Sequence, residues 1–116
     1  MAHPVVHFEI GCRDTSKATA FYSELFGWHT RPNGPATTIL SEAGGIGGHF
    51  TSLGHEPFNY VTIYVQVEDV AAALAKAESL GGKKVVPLVE IPDGTFAWFA
   101  DPDGNTIGLW KPKASA

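Results

Sequence analysis

The feature that most constrains this chain is a repeat. Two segments, 5–14 (Val-Val-His-Phe-Glu-Ile-Gly-Cys-Arg-Asp) and 60–69 (Tyr-Val-Thr-Ile-Tyr-Val-Gln-Val-Glu-Asp), each run strand-like into an aspartate. About three helical turns follow each, closing at Gly27 and Gly81. Asp14 and Asp69 lie 55 positions apart, close to half of the 116 residues. A unit that small cannot bury a full core alone, so the chain must fold as a pair of similar modules.

Each module can be read physically. Val6, Phe8, Ile10 and Cys12 alternate with His7, Glu9 and Gly11, and Val61, Ile63, Val65 and Val67 with Thr62, Tyr64 and Gln66. Alternation of period two marks a strand with one apolar and one more polar face. Asp14 and Asp69 suit helix N-caps, and Gly27 and Gly81 suit the left-handed position past a helix end. The stripes Ala18, Phe21, Tyr22, Leu25 and Val70, Ala73, Leu74, Ala77 should pack on the apolar strand faces. Three short strands follow each helix: 28–31, 36–40 and 45–50, then 84–88, 95–100 and 106–111. Pro-Asn-Gly-Pro, Glu-Ala-Gly, Pro-Asp-Gly and Asp-Pro-Asp-Gly-Asn separate them. The expected organisation is a single α+β domain with βαβββ modules at 4–50 and 60–112, a linker at 51–59 and a frayed tail from Lys111 to Ala116. A ferredoxin-like alternative needs a second helix per half, which the Gly and Pro of 28–50 and 84–110 deny.

Composition narrows the function classes. Eight Lys and Arg against twelve Asp and Glu leave a net charge of −4, which argues against nucleic acid as a partner. The single cysteine, Cys12, excludes a disulfide framework, and on the apolar strand face it reads as an inert buried thiol. No apolar run reaches the ~18 residues of a membrane span, and Met-Ala-His-Pro is no export signal, so a cytoplasmic protein is expected. Gly44–Gly48 lacks the Gly-Lys-Ser/Thr ending and following helix of a phosphate loop.

The paired βαβββ layout, His7-x6-Asp14, Ala18-x2-Phe21-Tyr22 and the closing Phe99-Ala100-Asp101-Pro102-Asp103-Gly104-Asn105-Thr106-Ile107 resemble the vicinal oxygen chelate superfamily. That group holds glyoxalases, bleomycin-resistance proteins and extradiol dioxygenases. The resemblance covers residues 5–111 and implies modules whose sheets curve into a half-barrel cup. It is specific for fold and weak for activity.

The resemblance further implies a divalent metal held by one ligand from the first and last strand of each module. His7 matches the first position, but Thr62 stands at its counterpart and Gly108 where metal-binding relatives carry a carboxylate. Setting Ala43-Gly44 against Asp103-Gly104 pairs Gly48 with Gly108; a one-residue bulge instead brings His49 to the cup face beside His7, with Glu9 as a third ligand. Both registers are open at this point. Glu9 is also a candidate general base, if the cup desolvates it. His3, His29 and His55 read as solvated.

Aromatic residues stand where ligands are missing. Trp28, Phe50, Phe96, Trp98 and Trp110 fall on the short strands and Tyr64 on the polar strand face, while Asp93 reads as a rim residue. The expected ligand-binding set is His7, Glu9, Phe50, Thr62, Tyr64, Gln66, Trp98, Gly108 and Trp110, suited to a largely apolar or aromatic organic molecule. The expectation is a small-molecule-binding protein of this type without the full metal site and with no cofactor, sequestering its ligand or acting on it weakly. The alternative is a lyase, isomerase or dioxygenase using Zn, Ni, Mn or Fe on His7 and His49. A homodimer is expected through exposed sheet edges.

Overall fold

The computed structural model describes residues 2–53 and 57–114. The expectation for His55, the middle of the proposed linker and the last two residues of the tail lie outside the described residues. Elements run β1 (Val5–Gly11), α1 (Thr15–Phe26), β2 (Thr30–Asn33), β3 (Ala36–Ile39), β4 (Gly47–Thr51), β5 (Val61–Gln66), α2 (Val70–Ser79), β6 (Lys83–Ile91), β7 (Gly94–Ala100) and β8 (Thr106–Pro112). Two compact units result: residues 7–62, and residues 63–114 joined by the N-terminal segment before His7. Pro4 belongs with the second because its carbonyl accepts from the amide of Gln66 at 2.9 Å.

In the first unit β2 and β3 form a hairpin, β3 pairs antiparallel with β4, and β4 runs parallel to β1. Asp14 caps α1, its carboxylate accepting from the amides of Ser16 and Lys17. Gly27 ends the helix at φ 71°, and its amide donates to the Ser23 carbonyl at 2.8 Å. The core is aromatic. Tyr22 stacks on Trp28 at 5.4 Å and on Phe50 at 5.3 Å, and Phe8 meets Trp28 at 5.7 Å. The expected helical stripe is only half realised, since Phe21 is 61% and Leu25 58% exposed. Of the stripe's large side chains, Tyr22 is the one that stacks on Phe50.

In the second unit β5 runs parallel to β8, and β8, β7 and β6 follow as antiparallel neighbours. Asp69 caps α2 through the Ala72 amide, and Gly81 takes φ 100° just past its end. Val70 and Leu74 are buried with Val67, Ala97 and Leu109, and Val65, Ala73 and Phe99 pack around them. Val61, expected on the packed face, is 70% exposed at the first position of β5, where the strand still belongs to the first unit.

Candidate functional site

The registers decide which polar side chains meet. Along β1 and β4 the Cα partners are His7 with Gly47, Phe8 with Gly48 and Glu9 with His49. Along β5 and β8 they are Tyr64 with Gly108. Glu9 and Tyr64 hold equivalent places in the repeat, so His49 is the counterpart of Gly108, and the pairing of Gly48 with Gly108 is corrected. No bulge is needed. Ile39 pairs with Gly48 across a longer connection than the one joining Ala100 to Thr106, which shifts the register relative to the turn glycines.

Strand alternation puts His7, Glu9 and His49 on one face of the first unit. Glu9 is 5% exposed, and its Oε1 lies 2.8 Å from His49 Nε2. The Tyr60 hydroxyl donates to its Oε2. On the far side of the imidazole, His49 Nδ1 lies 2.6 Å from His7 Nε2. The four groups make one hydrogen-bonded chain, Tyr60–Glu9–His49–His7. A carboxylate accepts only, so His49 Nε2 carries a hydrogen, and one further hydrogen lies between the two rings. When His49 is neutral, His7 Nε2–H donates; when His49 is charged, its Nδ1–H donates to His7. A proton can therefore pass between His7 and Glu9 by shifting hydrogens along existing bonds, without moving a ring.

Electrostatics set the resting state of the chain. Burial, then the neighbouring His49, push the His7 pKa down to about 4, with Glu9 pulling weakly the other way. His7 is thus neutral at neutral pH. Burial first, and Glu9 second, push the Tyr60 phenol well above its ordinary value, so it stays a donor. Tyr60 was not among the residues expected at the site. The one sequence signal was Gly11, two positions past Glu9: a Cβ there would overlap the Tyr60 ring, which the missing side chain admits.

The second unit closes the equivalent position differently. The Tyr64 ring lies over Gly108, where a Cβ would fall 2.9 Å from Tyr64 Cγ and nearer still to Cδ2 and Cε2. Trp98 Nε1 donates to the Tyr64 hydroxyl at 2.8 Å, and Phe96 meets that ring edge-on at 6.5 Å. Tyr64 and Trp98 are buried, at 6% and 4% exposure, as is Thr62 at the end of the first unit, at 3%. Gln66 and Trp110 are half-buried, the Trp110 ring lying over Gly94. Phe50 does not belong to a ligand wall. It is fully buried and stacks on Tyr22, because alternation turns it to the helix side while His49 faces the other way.

The residues present do not fit the divalent metal of the resemblance. Two imidazole nitrogens on one tetrahedral ion, each at ~2.0–2.1 Å, stand about 3.3 Å apart, whereas His7 Nε2 and His49 Nδ1 are a hydrogen bond's 2.6 Å apart. His49 spends its other nitrogen on Glu9. At the remaining positions of the implied set stand Thr62, whose hydroxyl is a poor ligand, and Gly108, covered by the Tyr64 ring. Among the described residues no group of three His, Cys, Asp or Glu is arranged to hold a metal ion. The thiol of Cys12 is half-buried, lies 3.6 Å from the Thr51 carbonyl, and is pushed up by burial and by Asp14.

Known proteins share this architecture. A glyoxalase/bleomycin resistance protein/dioxygenase superfamily member from Vibrio splendidus 12B01 superposes with a TM-score of 0.65 at 15% identity, covering 97% of this chain and all of that one. The anthracycline biosynthesis protein DnrV of Streptomyces peucetius is 26% identical over 90% of this chain, which spans only 45% of DnrV. A glyoxylase-like domain-containing protein of Didymella fabae is 28% identical over 87% of this chain and 88% of its own length. The profile of the Glyoxalase/Bleomycin resistance protein/Dioxygenase superfamily matches residues 5–109. This α+β chain of two βαβββ modules belongs to that superfamily.

Proposed function

We propose that this chain is a small-molecule-binding member of its superfamily that works without the metal site, holding a largely apolar or aromatic organic ligand. It either sequesters that ligand or moves a proton on it through the Tyr60–Glu9–His49–His7 chain, with Glu9 as the base that finally stores the proton. The observation that carries this reading is the double engagement of His49, one ring nitrogen on Glu9 and the other on His7. A metal-ligating histidine gives one of those nitrogens to the ion. Likeness to an anthracycline biosynthesis protein supports a small organic ligand, and the half-buried Trp110 is the ring of the expected set that remains partly open to meet it.

Two measurements test it together. Elemental analysis of protein purified without a polyhistidine tag should find no stoichiometric Zn, Ni, Mn or Fe. A screen of aromatic natural products by tryptophan fluorescence should return binders. Stoichiometric metal would overturn the reading in favour of a metal-dependent lyase, isomerase or dioxygenase on His7 and His49. An empty ligand screen would overturn its binding half.

A further inference from the structure

We propose that Arg31 anchors an organic acid in the first unit. Its guanidinium pairs with a carboxylate of the ligand, with the Thr38 hydroxyl beside it, and the rest of the molecule lies toward His49. The inference rests on the reading of Tyr60–Glu9–His49–His7 as the groups that meet the ligand, and adds the chemical class of that ligand. The strand registers carry it. Arg31 stands opposite Thr38 in the β2–β3 hairpin, Thr38 opposite His49 across β3 and β4, and His49 opposite Glu9 across β4 and β1. Directly paired residues project to the same side of a sheet. Arg31, Thr38, His49 and Glu9 therefore form one row across four strands. Ile39 fixes the parity: it pairs with Gly48, turns the other way from Thr38 and is 3% exposed in the core.

Charge and distance select the ligand. Arg31 and His49 are two strands apart, about 10 Å between backbones at the usual strand spacing. A small organic acid spans that interval once the arginine stem reaches inward. Arg31 is exposed and makes no ion pair among the described residues. Glu9, the carboxylate of the same row, is held by His49 and Tyr60. Glu42, in the loop after β3, is held by the amide and ring of His29 at 2.8–3.1 Å. A planar guanidinium matches both oxygens of a carboxylate, and the Thr38 hydroxyl, one strand inward, adds a further donor. A charge that only guarded the edge strand would serve on either face. On this face it falls in line with the histidines.

Nuclear magnetic resonance of the full chain tests this with matched pairs: benzoate, phenylacetate and indole-3-acetate, each against its primary amide at fixed pH and ionic strength. At least one acid should shift the backbone amides of Arg31, Thr38 and His49 saturably, and its primary amide should bind about tenfold more weakly. Arg31→Gln should abolish that preference and Arg31→Lys should keep part of it. Arg13→Gln, whose side chain lies over Phe58, should leave it unchanged. Circular dichroism should be the same for all of them. Equal binding of acid and amide, or a preference that survives Arg31→Gln, overturns the anchor and leaves the proton-chain reading standing. Absence of any shift at Arg31, Thr38 and His49 with all of the acids overturns it as well. Stoichiometric metal would sink the metal-free reading without touching the acid preference, which is read against Arg31→Gln.

Discussion

Gly108→Ala offers a quantitative test of how the second unit is built. The methyl group would enter the space held by the Tyr64 ring, 2.9 Å from Cγ and closer to two further carbons, against an ordinary contact of 3.4–4 Å. Gly108 is buried on a central strand, so neither backbone can retreat. Overpacking of this kind costs about 1–3 kcal/mol. Displacing the ring also strains the hydrogen bond from Trp98 Nε1 to the Tyr64 hydroxyl, worth about 1 kcal/mol. The expected loss is about 2–4 kcal/mol, which lowers a urea midpoint by roughly 1–3 M. Tryptophan fluorescence follows both the unfolding and the environment of Trp98. Tyr64→Ala removes every atom the methyl would strike. In that background, itself destabilised by about 3–5 kcal/mol, Gly108→Ala should cost less than about 0.5 kcal/mol, a coupling of at least about 1.5 kcal/mol. Gly45→Ala, whose Cβ would find only an ordinary 3.4 Å contact, serves as the neutral control. If Gly108→Ala falls within about 0.5 kcal/mol of wild type, or costs the same without the Tyr64 ring, the reasoning is refuted.

Other expectations concern the first unit. Tyr60→Phe removes a donor from the buried Glu9 carboxylate and should cost about 2 kcal/mol in denaturant unfolding; no change would mean the carboxylate is satisfied without it. His7 has its pKa lowered from 6.5 to about 4 in the folded chain, so the unfolded chain binds the extra proton between those values. Stability is therefore fully present above about pH 6.5 and falls as the pH drops toward 4, by about 1–2 kcal/mol after screening by solvent. His7→Gln should flatten that part of a stability–pH profile, and an unaltered slope would assign it to other groups. Asp14→Ala removes the acceptor for the Ser16 and Lys17 amides and should lower the melting temperature. Asp14→Asn should retain most of that stability.

Where local chemistry sufficed, the sequence was a good guide. The caps at Asp14 and Asp69, the left-handed Gly27 and Gly81 and the alternation of β1 each depend on neighbours a few residues away. His49 was different. Its facing depends on the length of the β3–β4 connection, and the glycines of that loop align with the second module's turn one register out. Tyr60 escaped notice because it meets Glu9 across 51 positions, with only an absent side chain at Gly11 as a trace. Phe21 and Leu25, expected to pack on the strand face, stay exposed, because periodicity cannot tell which part of a wide apolar stripe the chain itself covers. Phe50 was misplaced for the opposite reason: its aromatic character suits a ligand wall and a core equally, and only the parity of β4 separates them.

Among the described residues a ring rests four times where a glycine has no side chain: Tyr60 on Gly11, Phe8 on Gly48, Tyr64 on Gly108 and Trp110 on Gly94. The consequence is combinatorial as much as mechanical. A carboxylate cannot be placed at position 108 by one substitution without meeting Tyr64. Removing the tyrosine first empties the space beside Trp98 instead. Either order passes through a weakened intermediate, so the two positions can change only together.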